Sequence, residues 1–352
     1  MSLNSSPMPM IFNRPIYYFL VLLLAFCACN RKGEEQQAEI ANLHADSLSI
    51  KLNSPELKAV NAALLKDVRN DSLYNERARI YLSLRQFPEA INDAKRAIRM
   101  DSSTARNYLT LADIYFAENS TRLSKELLET VTRKFPEDTE ALLKLAELYY
   151  LVQRYQEGIE FVNKALRINE NIAKGYYIKG SIYRESGDTS RAVSSLETAI
   201  EQDARMSNAH YDLGVIYAAR RNPLAMQYYE NAIRLEPTRK DALYGRARFL
   251  QDLGKTDQAL SEYEALLKKD PSCDKCLYNI GALQLEIKKN PEKALGYFTK
   301  AIELRADYLE AYFARGYTYS LLKDKNSARA DYNMCLQIRP NYAPAVQGLN
   351  EL

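Results

Sequence analysis

The chain has 352 residues, of which 48 are basic and 45 acidic, so its formal net charge is only +3. This near balance argues against nucleic acid as the main partner, because nucleic-acid binding needs a concentrated basic face. Only two histidines are present, His44 and His210, which leaves few side chains for acid–base chemistry or metal binding. The sequence therefore predicts no catalytic centre, no metal site and no cofactor.

Residues 1–28 have the pattern of an export signal. An apolar run, 16–28, follows Arg14 and is shorter than the roughly 20 residues that cross a bilayer. The run ends in Ala28 and Cys29, and polar residues follow. This ending resembles the signal of bacterial lipoproteins, in which cleavage precedes a cysteine that receives the lipid. The resemblance implies lipidation of Cys29, with Cys27 as the rival residue.

The residues that follow this signal predict where the chain is located and a tether that links it to the membrane. Asn30 differs from the aspartate that retains similar lipoproteins in an inner membrane, which favours a bacterial outer membrane and leaves the side of that membrane open. Residues 29–53 are polar and lack a sustained helical stripe, so they predict a tether. The alternatives are a secreted protein that is cut elsewhere and an uncleaved anchor.

Residues 54–70 predict a helix that caps the start of the folded part. Ser54 is suited to the N-cap and Pro55 to the first helical position, while Glu56 lies near the positive end of the helix. Leu57 and Val60 begin an apolar face along this helix.

From residue 71 to residue 342, one helix–turn–helix pattern recurs every 33 to 35 residues. In the last copy, two helical patterns flank a polar turn, and Pro340 marks the stop. A small residue recurs at one slot of the second helix: Ala90, Ser124, Gly158, Ala192, Ala225, Ala259, Ala294 and Ala328. The eight copies are 71–104, 105–138, 139–172, 173–206, 207–239, 240–273, 274–308 and 309–342.

This period and these slots resemble the tetratricopeptide repeat over residues 71–342. The resemblance implies an all-α, right-handed superhelical solenoid of about eight repeats, in which each hairpin buries its apolar face only by stacking on its neighbours. The family often has tryptophan at the fourth position of the repeat, whereas this chain has no tryptophan. His210 occupies that position in its repeat, so we expect it to lie in the core.

The resemblance also implies that the first helices line a concave groove that binds other proteins. Five successive repeats place an aromatic ring at their fifth position: Tyr177, Tyr211, Tyr244, Tyr278 and Phe313. Cationic side chains surround these rings: Lys174, Arg184 and Arg248. Tyrosine offers a large contact area and a polar hydroxyl, which suits an extended peptide or a partner helix. The alternative is that the rings serve only to pack neighbouring repeats together.

Cys273 and Cys276 form a C-x-x-C pair at the start of a helix, where the helix N-terminus lowers the pKa of a thiol. Zinc would need two further ligands, which the surrounding sequence does not supply. Three interpretations stay open: a local disulfide or inert pair, two free thiols, or a redox function. Cys335 lies in a small packing slot, and we expect it to be buried.

Only residues 343–352 follow the last repeat, and they form a short predicted helix. Ten residues are expected to cover that repeat poorly, so the helix that carries Tyr332 and Cys335 is predicted to be partly exposed. That exposure would provide a surface for a homo-oligomer or for docking.

The sequence as a whole predicts a non-catalytic scaffold that is attached by lipid to the bacterial envelope and holds other envelope proteins. The alternatives are a holdase for exported chains and a thiol–disulfide enzyme built on Cys273 and Cys276.

Overall fold

The computed structural model describes residues 54–352, which form 18 α-helices and no β-strand. The predicted signal peptide, the lipidation of Cys29 rather than Cys27, and the tether all lie outside the described residues. The prediction of an all-α chain of helix–turn–helix repeats is confirmed, because eight helical hairpins follow one another from residue 71 to residue 338.

Helix α1 (Pro55–Lys66) precedes the hairpins, and helix α18 (Ala343–Asn350) follows them. The first helices, called A helices here, are α2 (Asp71–Ser83), α4 (Ala105–Ala117), α6 (Thr139–Leu151), α8 (Ala173–Glu185), α10 (Ser207–Ala219), α12 (Lys240–Asp252), α14 (Asp274–Glu286) and α16 (Leu309–Leu321). The second helices, called B helices, are α3 (Phe87–Met100), α5 (Thr121–Lys134), α7 (Tyr155–Ile168), α9 (Thr189–Gln202), α11 (Leu224–Leu235), α13 (Thr256–Lys269), α15 (Pro291–Leu304) and α17 (Lys325–Ile338).

The described residues fall into two compact units, residues 54–136 and residues 137–352. In the first unit, α1 packs on α2 and two hairpins stack on each other. In the second unit, each B helix packs both on its own A helix and on the helix that follows it in the chain. The alanines at the recurring small position of the B helices, such as Ala192 and Ala259, are fully buried because the two helices of a hairpin meet there.

Each turn from an A helix to its B helix contains one residue with positive φ: Arg85, Asn119, Gln153, Gly187, Arg221, Gly254, Lys289 and Lys323. The residue after it donates its N–H back into the end of the A helix, as Gln86 does to the carbonyl of Tyr81 at 2.8 Å. This geometry satisfies carbonyls that the helix end would leave unpaired. Glycine adopts it without steric cost, yet six of these eight turns use a larger residue.

The poor cover predicted for the last hairpin is wrong at Tyr332, which is only 2% exposed, whereas the burial expected of Cys335 is confirmed at 0% exposed. Helix α18 lies across them with its small residues at the closest points. Ala345 is fully buried in the same cluster. A Cβ atom added to Gly348 would lie only 2.5 Å from Cζ of Tyr332. A short helix can therefore cover the last hairpin, because the side chains on its contact face are small and let its backbone approach Tyr332 closely.

Replacing Gly348 by valine tests this cover. The new side chain has no room above Tyr332, so we expect the free energy of unfolding to fall by about 1–3 kcal/mol. We also expect Cys335 to react faster with a thiol reagent than in the parent chain. Urea unfolding and the reaction rate measure the two effects.

Gly296→Ala is the matched control, because nothing lies within 4 Å of the Cβ atom that it adds inside α15. It should be neutral or stabilising by up to about 1 kcal/mol. A Gly348→Val chain whose Cys335 stays as unreactive as in the parent would contradict this account of α18.

Candidate binding face on the first helices

The aromatic rings at the fifth position of the repeats are half-buried on the A helices of the second unit. Four of the five pack on an aromatic ring from the B helix of the same hairpin, with ring centroids 5.9 to 6.2 Å apart. The four pairs are Tyr211 with Tyr229, Tyr244 with Tyr263, Tyr278 with Phe298, and Phe313 with Tyr332. One side of each ring therefore contributes to the core, and only the remainder is available to a partner.

We call the outward sides of α8, α10, α12, α14 and α16 the A-helix face. All five predicted rings and the three predicted cations lie on these consecutive helices. Since the helices are held in place by their own hairpins, the face is a row of aromatic rings in fixed positions with charged side chains among them.

Tyr244 is tied into this packing by its hydroxyl group as well as by its ring. Its oxygen accepts a hydrogen bond of 2.9 Å from Nδ2 of Asn279, a buried residue of the next A helix. Tyr211 differs, because its hydroxyl makes no hydrogen bond with another described residue. Burial raises the pKa of Tyr211, so this phenol stays neutral at physiological pH.

The ring of Tyr211 is covered on one side by a cation. The guanidinium carbon of Arg239 lies 4.7 Å from the ring centroid, within the range of a cation–π contact. Arg239 is held there by Asn208 at 2.6 Å and by Asp241 at 2.9 Å. This arrangement fixes the ring and leaves less of it free for a partner.

Arg184 is the most firmly held of the predicted cations. Its Nη1 donates to Oδ1 of Asp212 on the next A helix, and its Nη2 donates to Glu185 at 3.0 Å. Asp212 is buried, and burial raises the pKa of its carboxyl group against the opposing effect of Arg184. Oδ2 of Asp212 has no hydrogen-bond partner among the described residues. Arg184 is thus a link between two hairpins as well as a charge on the face.

Lys174 and Arg248 are held more loosely. Lys174 Nζ lies 3.1 Å from Oε2 of Glu147, and Arg248 Nε lies 3.1 Å from Oδ1 of Asp252. About half of each side chain in these two pairs is exposed to solvent. Exposed pairs of this kind contribute little to stability, so either cation can exchange its partner for a carboxylate of a ligand at small cost.

Asp212 and Asn279 were missed at the sequence level, although both occupy the sixth position of a repeat. In each case the polar side chain lies beside the residue at the fifth position of the preceding repeat. The first unit repeats this arrangement, since Thr110 donates to Oδ1 of Asn75 at 3.1 Å. These links could have been predicted wherever a repeat has a polar residue at position five and the next repeat has a polar residue at position six.

Cys273 and Cys276 are joined by a disulfide at the start of α14. The backbone N–H of Cys276 donates to the sulfur of Cys273 at 3.2 Å, so the pair also caps the helix. Cys276 is completely buried beside Tyr263 and Ile280. Cys335 is free and buried, and burial raises the pKa of its thiol to about 12.

His210 is buried, with Nε2 at 3.2 Å from the carbonyl of Ala204, as expected of a packing position. Burial lowers the pKa of its imidazole. Within residues 54–352, no group of three or more His, Cys, Asp or Glu side chains is arranged to hold a metal ion.

Three models of the tetratricopeptide repeat match this chain. One matches residues 75–121, 109–171 and 179–240, a second matches residues 217–276, and a third matches residues 309–342. These matches together extend over most of the eight hairpins. The chain belongs to the tetratricopeptide repeat family.

Curated relatives share the repeats but are longer proteins. The chain is 23% identical over 273 residues to the human "Protein O-mannosyl-transferase TMTC3", which covers 74% of this chain and 30% of that protein. It is 23% identical over 242 residues to "Hsp70-Hsp90 organizing protein 1" of Glycine max, which covers 68% of this chain and 37% of that protein. The chain thus spans well under half the length of either relative.

A solved structure shows the same fold. The C-terminal part of a TPR repeat-containing protein from Cytophaga hutchinsonii aligns with a TM-score of 0.55 and 21% identity, over 68% of this chain and 98% of that one. At this level of identity the likeness establishes the fold alone.

Replacing Tyr244 or Tyr211 by phenylalanine distinguishes the two tyrosines. Tyr244→Phe removes the acceptor of Asn279 and leaves a buried amide short of a partner, so the free energy of unfolding should fall by about 1 kcal/mol or more. Tyr211→Phe is the matched control, because it removes a hydroxyl that makes no such bond. Urea unfolding of both variants measures the difference, and equal stability of the two would disprove the role of the hydrogen bond.

Proposed function

We propose that this chain is a non-catalytic scaffold that holds other proteins of a bacterial envelope on the A-helix face. Proteins with these repeats generally bind other proteins or peptides. The observation that carries the proposal is the row of half-exposed rings, four of which are fixed by a ring of their own hairpin, with exposed cations beside them. A surface that is already rigid loses little conformational entropy when a partner binds.

An extended peptide is the ligand that fits this row best. Neighbouring packed helices lie about 8–10 Å apart, and an extended chain advances about 3.3 Å per residue. Roughly every third residue of such a peptide would therefore meet the next A helix. Its carboxylates would meet Arg248 and Lys174, while its apolar side chains would lie against the exposed parts of the rings.

The two alternative functions receive less support. A holdase needs a broad exposed apolar surface, whereas the A-helix face alternates half-buried rings with charged side chains. A thiol–disulfide enzyme uses its C-x-x-C pair in a βαβ setting, whereas Cys273 and Cys276 begin a helix among hairpins that contain no strand within residues 54–352.

We further propose that a lipid on Cys29 attaches the chain to a bacterial outer membrane. The basis is the sequence alone: the short apolar run, the small residue Ala28 before the cysteine, and the polar residues after it. None of the helices within residues 54–352 is long and apolar enough to cross a bilayer. A lipid on Cys29 would provide attachment without a spanning helix.

Reversing the two loosely held cations tests the binding face. We expect the double variant Lys174→Glu and Arg248→Glu to keep its stability, because both side chains are exposed, and to weaken partner binding about tenfold. Cross-linked co-purification from native membranes measures the binding. Lys268→Glu, an exposed cation on α13, is the matched control.

If one set of envelope proteins is lost from the double variant but retained by Lys268→Glu, the A-helix face is the binding site. If both variants retain the same partners, the face is not the site and the scaffold proposal fails in this form.

Replacing Cys29 by serine tests the anchor. We expect Cys29→Ser to abolish the incorporation of labelled fatty acid and to release the chain from the membrane fraction, because no other thiol follows the apolar run closely enough. Cys27→Ser is the control and should leave both unchanged. Lipid incorporation that survives in Cys29→Ser but disappears in Cys27→Ser would assign the lipid to Cys27 instead.

A further inference from the structure

The turns between A and B helices in the C-terminal part of the second unit carry a distinctive set of exposed residues. We call residues 220–224, 253–257, 287–291 and 321–325 the turn edge. Five of its cations make no ion pair with another described residue: Arg220, Arg221, Lys255, Lys289 and Lys323. Five of its aliphatic side chains are exposed: Leu224, Leu253, Ile287, Leu321 and Leu322.

Successive turns of this edge come together in space. Lys288 of one turn contacts Asp257, at the start of the preceding B helix, with 2.5 Å between Nζ and Oδ1. A cavity of about 540 Å³ beside these turns is lined by Met226 and Lys255, which belong to neighbouring hairpins. Because consecutive hairpins stack, the equivalent turns of these four hairpins lie on the same side of the stack, and the turns at 253–257 and 287–291 are in direct contact.

Two of the acidic side chains near the turn edge are paired with cations. Asp252 pairs with Arg248, and Asp257 pairs with Lys288. Asp324 accepts the N–H of Ser327 and caps α17. Asp324 keeps its negative charge because its partner is a neutral N–H, and Glu286 and Glu292 have no cation partner among the described residues, so five unpaired cations stand against three acids. The unpaired charge of the turn edge is consequently positive.

Three of the cations occupy backbone positions that favour glycine. Arg221, Lys289 and Lys323 have φ angles of 51°, 53° and 64°, whereas Gly254 takes the equivalent position in the turn between them. The long side chains at these positions project from the tips of the turns.

We propose that the turn edge rests on an anionic lipid surface. Lysine and arginine side chains are attracted to anionic headgroups, while exposed leucine and isoleucine side chains enter the interface between headgroups and acyl chains. Single-stranded nucleic acid fits the turn edge less well, because its recognition uses base stacking on aromatic rings, which aliphatic side chains do not provide. The contact is independent of a lipid on Cys29, and it would hold the second unit against the membrane while its A-helix face stays in water.

A single introduced tryptophan tests this contact, because the chain has none of its own. The full-length Ile287→Trp protein is added to phosphatidylcholine vesicles with and without phosphatidylglycerol, and quenching by brominated lipid is measured. We expect quenching and a blue shift only when phosphatidylglycerol is present. Leu304→Trp is the matched control, because Leu304 is 48% exposed against 55% for Ile287 but lies at the other end of its hairpin.

Charge reversal provides the second arm. Adding Arg221→Glu and Lys289→Glu to Ile287→Trp should lower the ratio of docked to undocked protein about fivefold for each cation removed. Equal quenching of Leu304→Trp, equal quenching in neutral vesicles, or no effect of charge reversal would each overturn the proposal.

Flotation of the same samples separates this proposal from the lipid anchor. Protein that floats with both kinds of vesicle but shows no quenching is anchored without contact by the turn edge, which overturns this proposal and leaves the anchor in place. Protein that floats only with anionic vesicles and is quenched supports the turn edge and argues against the anchor. Protein that floats with neither overturns both.

Discussion

The structure depends on the fact that no single hairpin can bury its own apolar surface. The contact around Tyr229 shows how neighbouring hairpins solve this together. A Cβ atom added to Gly214 or to Gly245 would lie 2.8 Å from this ring, so the ring fills a gap left by glycines on two successive A helices. Tyr263 and Phe298 fill the equivalent positions in the next hairpins and are completely buried. Large rings thus join the later hairpins of the second unit to one another.

This packing determines what the A-helix face presents. A ring at position five is held by the ring behind it, so its exposed part has a fixed orientation before any partner arrives. The same packing means that alanine substitution of such a ring would damage the core and obscure any effect on binding. The exposed cations, which contribute little to the core, are therefore the residues whose changes report on binding alone.

The repeats were predictable because one short pattern fixes several features at once. Each A helix begins at the first residue of its predicted repeat, because the helix cap, the small residue of the B helix and the turn all recur with the same period. The cover of the last hairpin was not predictable from the number of residues left. It depends on Gly348 and Ala345 being small where Tyr332 is large, which is a matter of shape. The link between Arg184 and Asp212 was missed because it joins residues 28 apart through the three-dimensional register of two helices.

The A-helix face has two kinds of cation, one that is held firmly and two that are held loosely. Arg184 is bound to a buried carboxylate, and a ligand that displaced it would leave Asp212 charged and unpaired in the interior, at a large cost in free energy. Arg248 and Lys174 lose only an exposed ion pair when they turn to a ligand. A partner can therefore use the fixed charge of Arg184 without moving it, whereas selection among partners falls to the cations that are free to reorient.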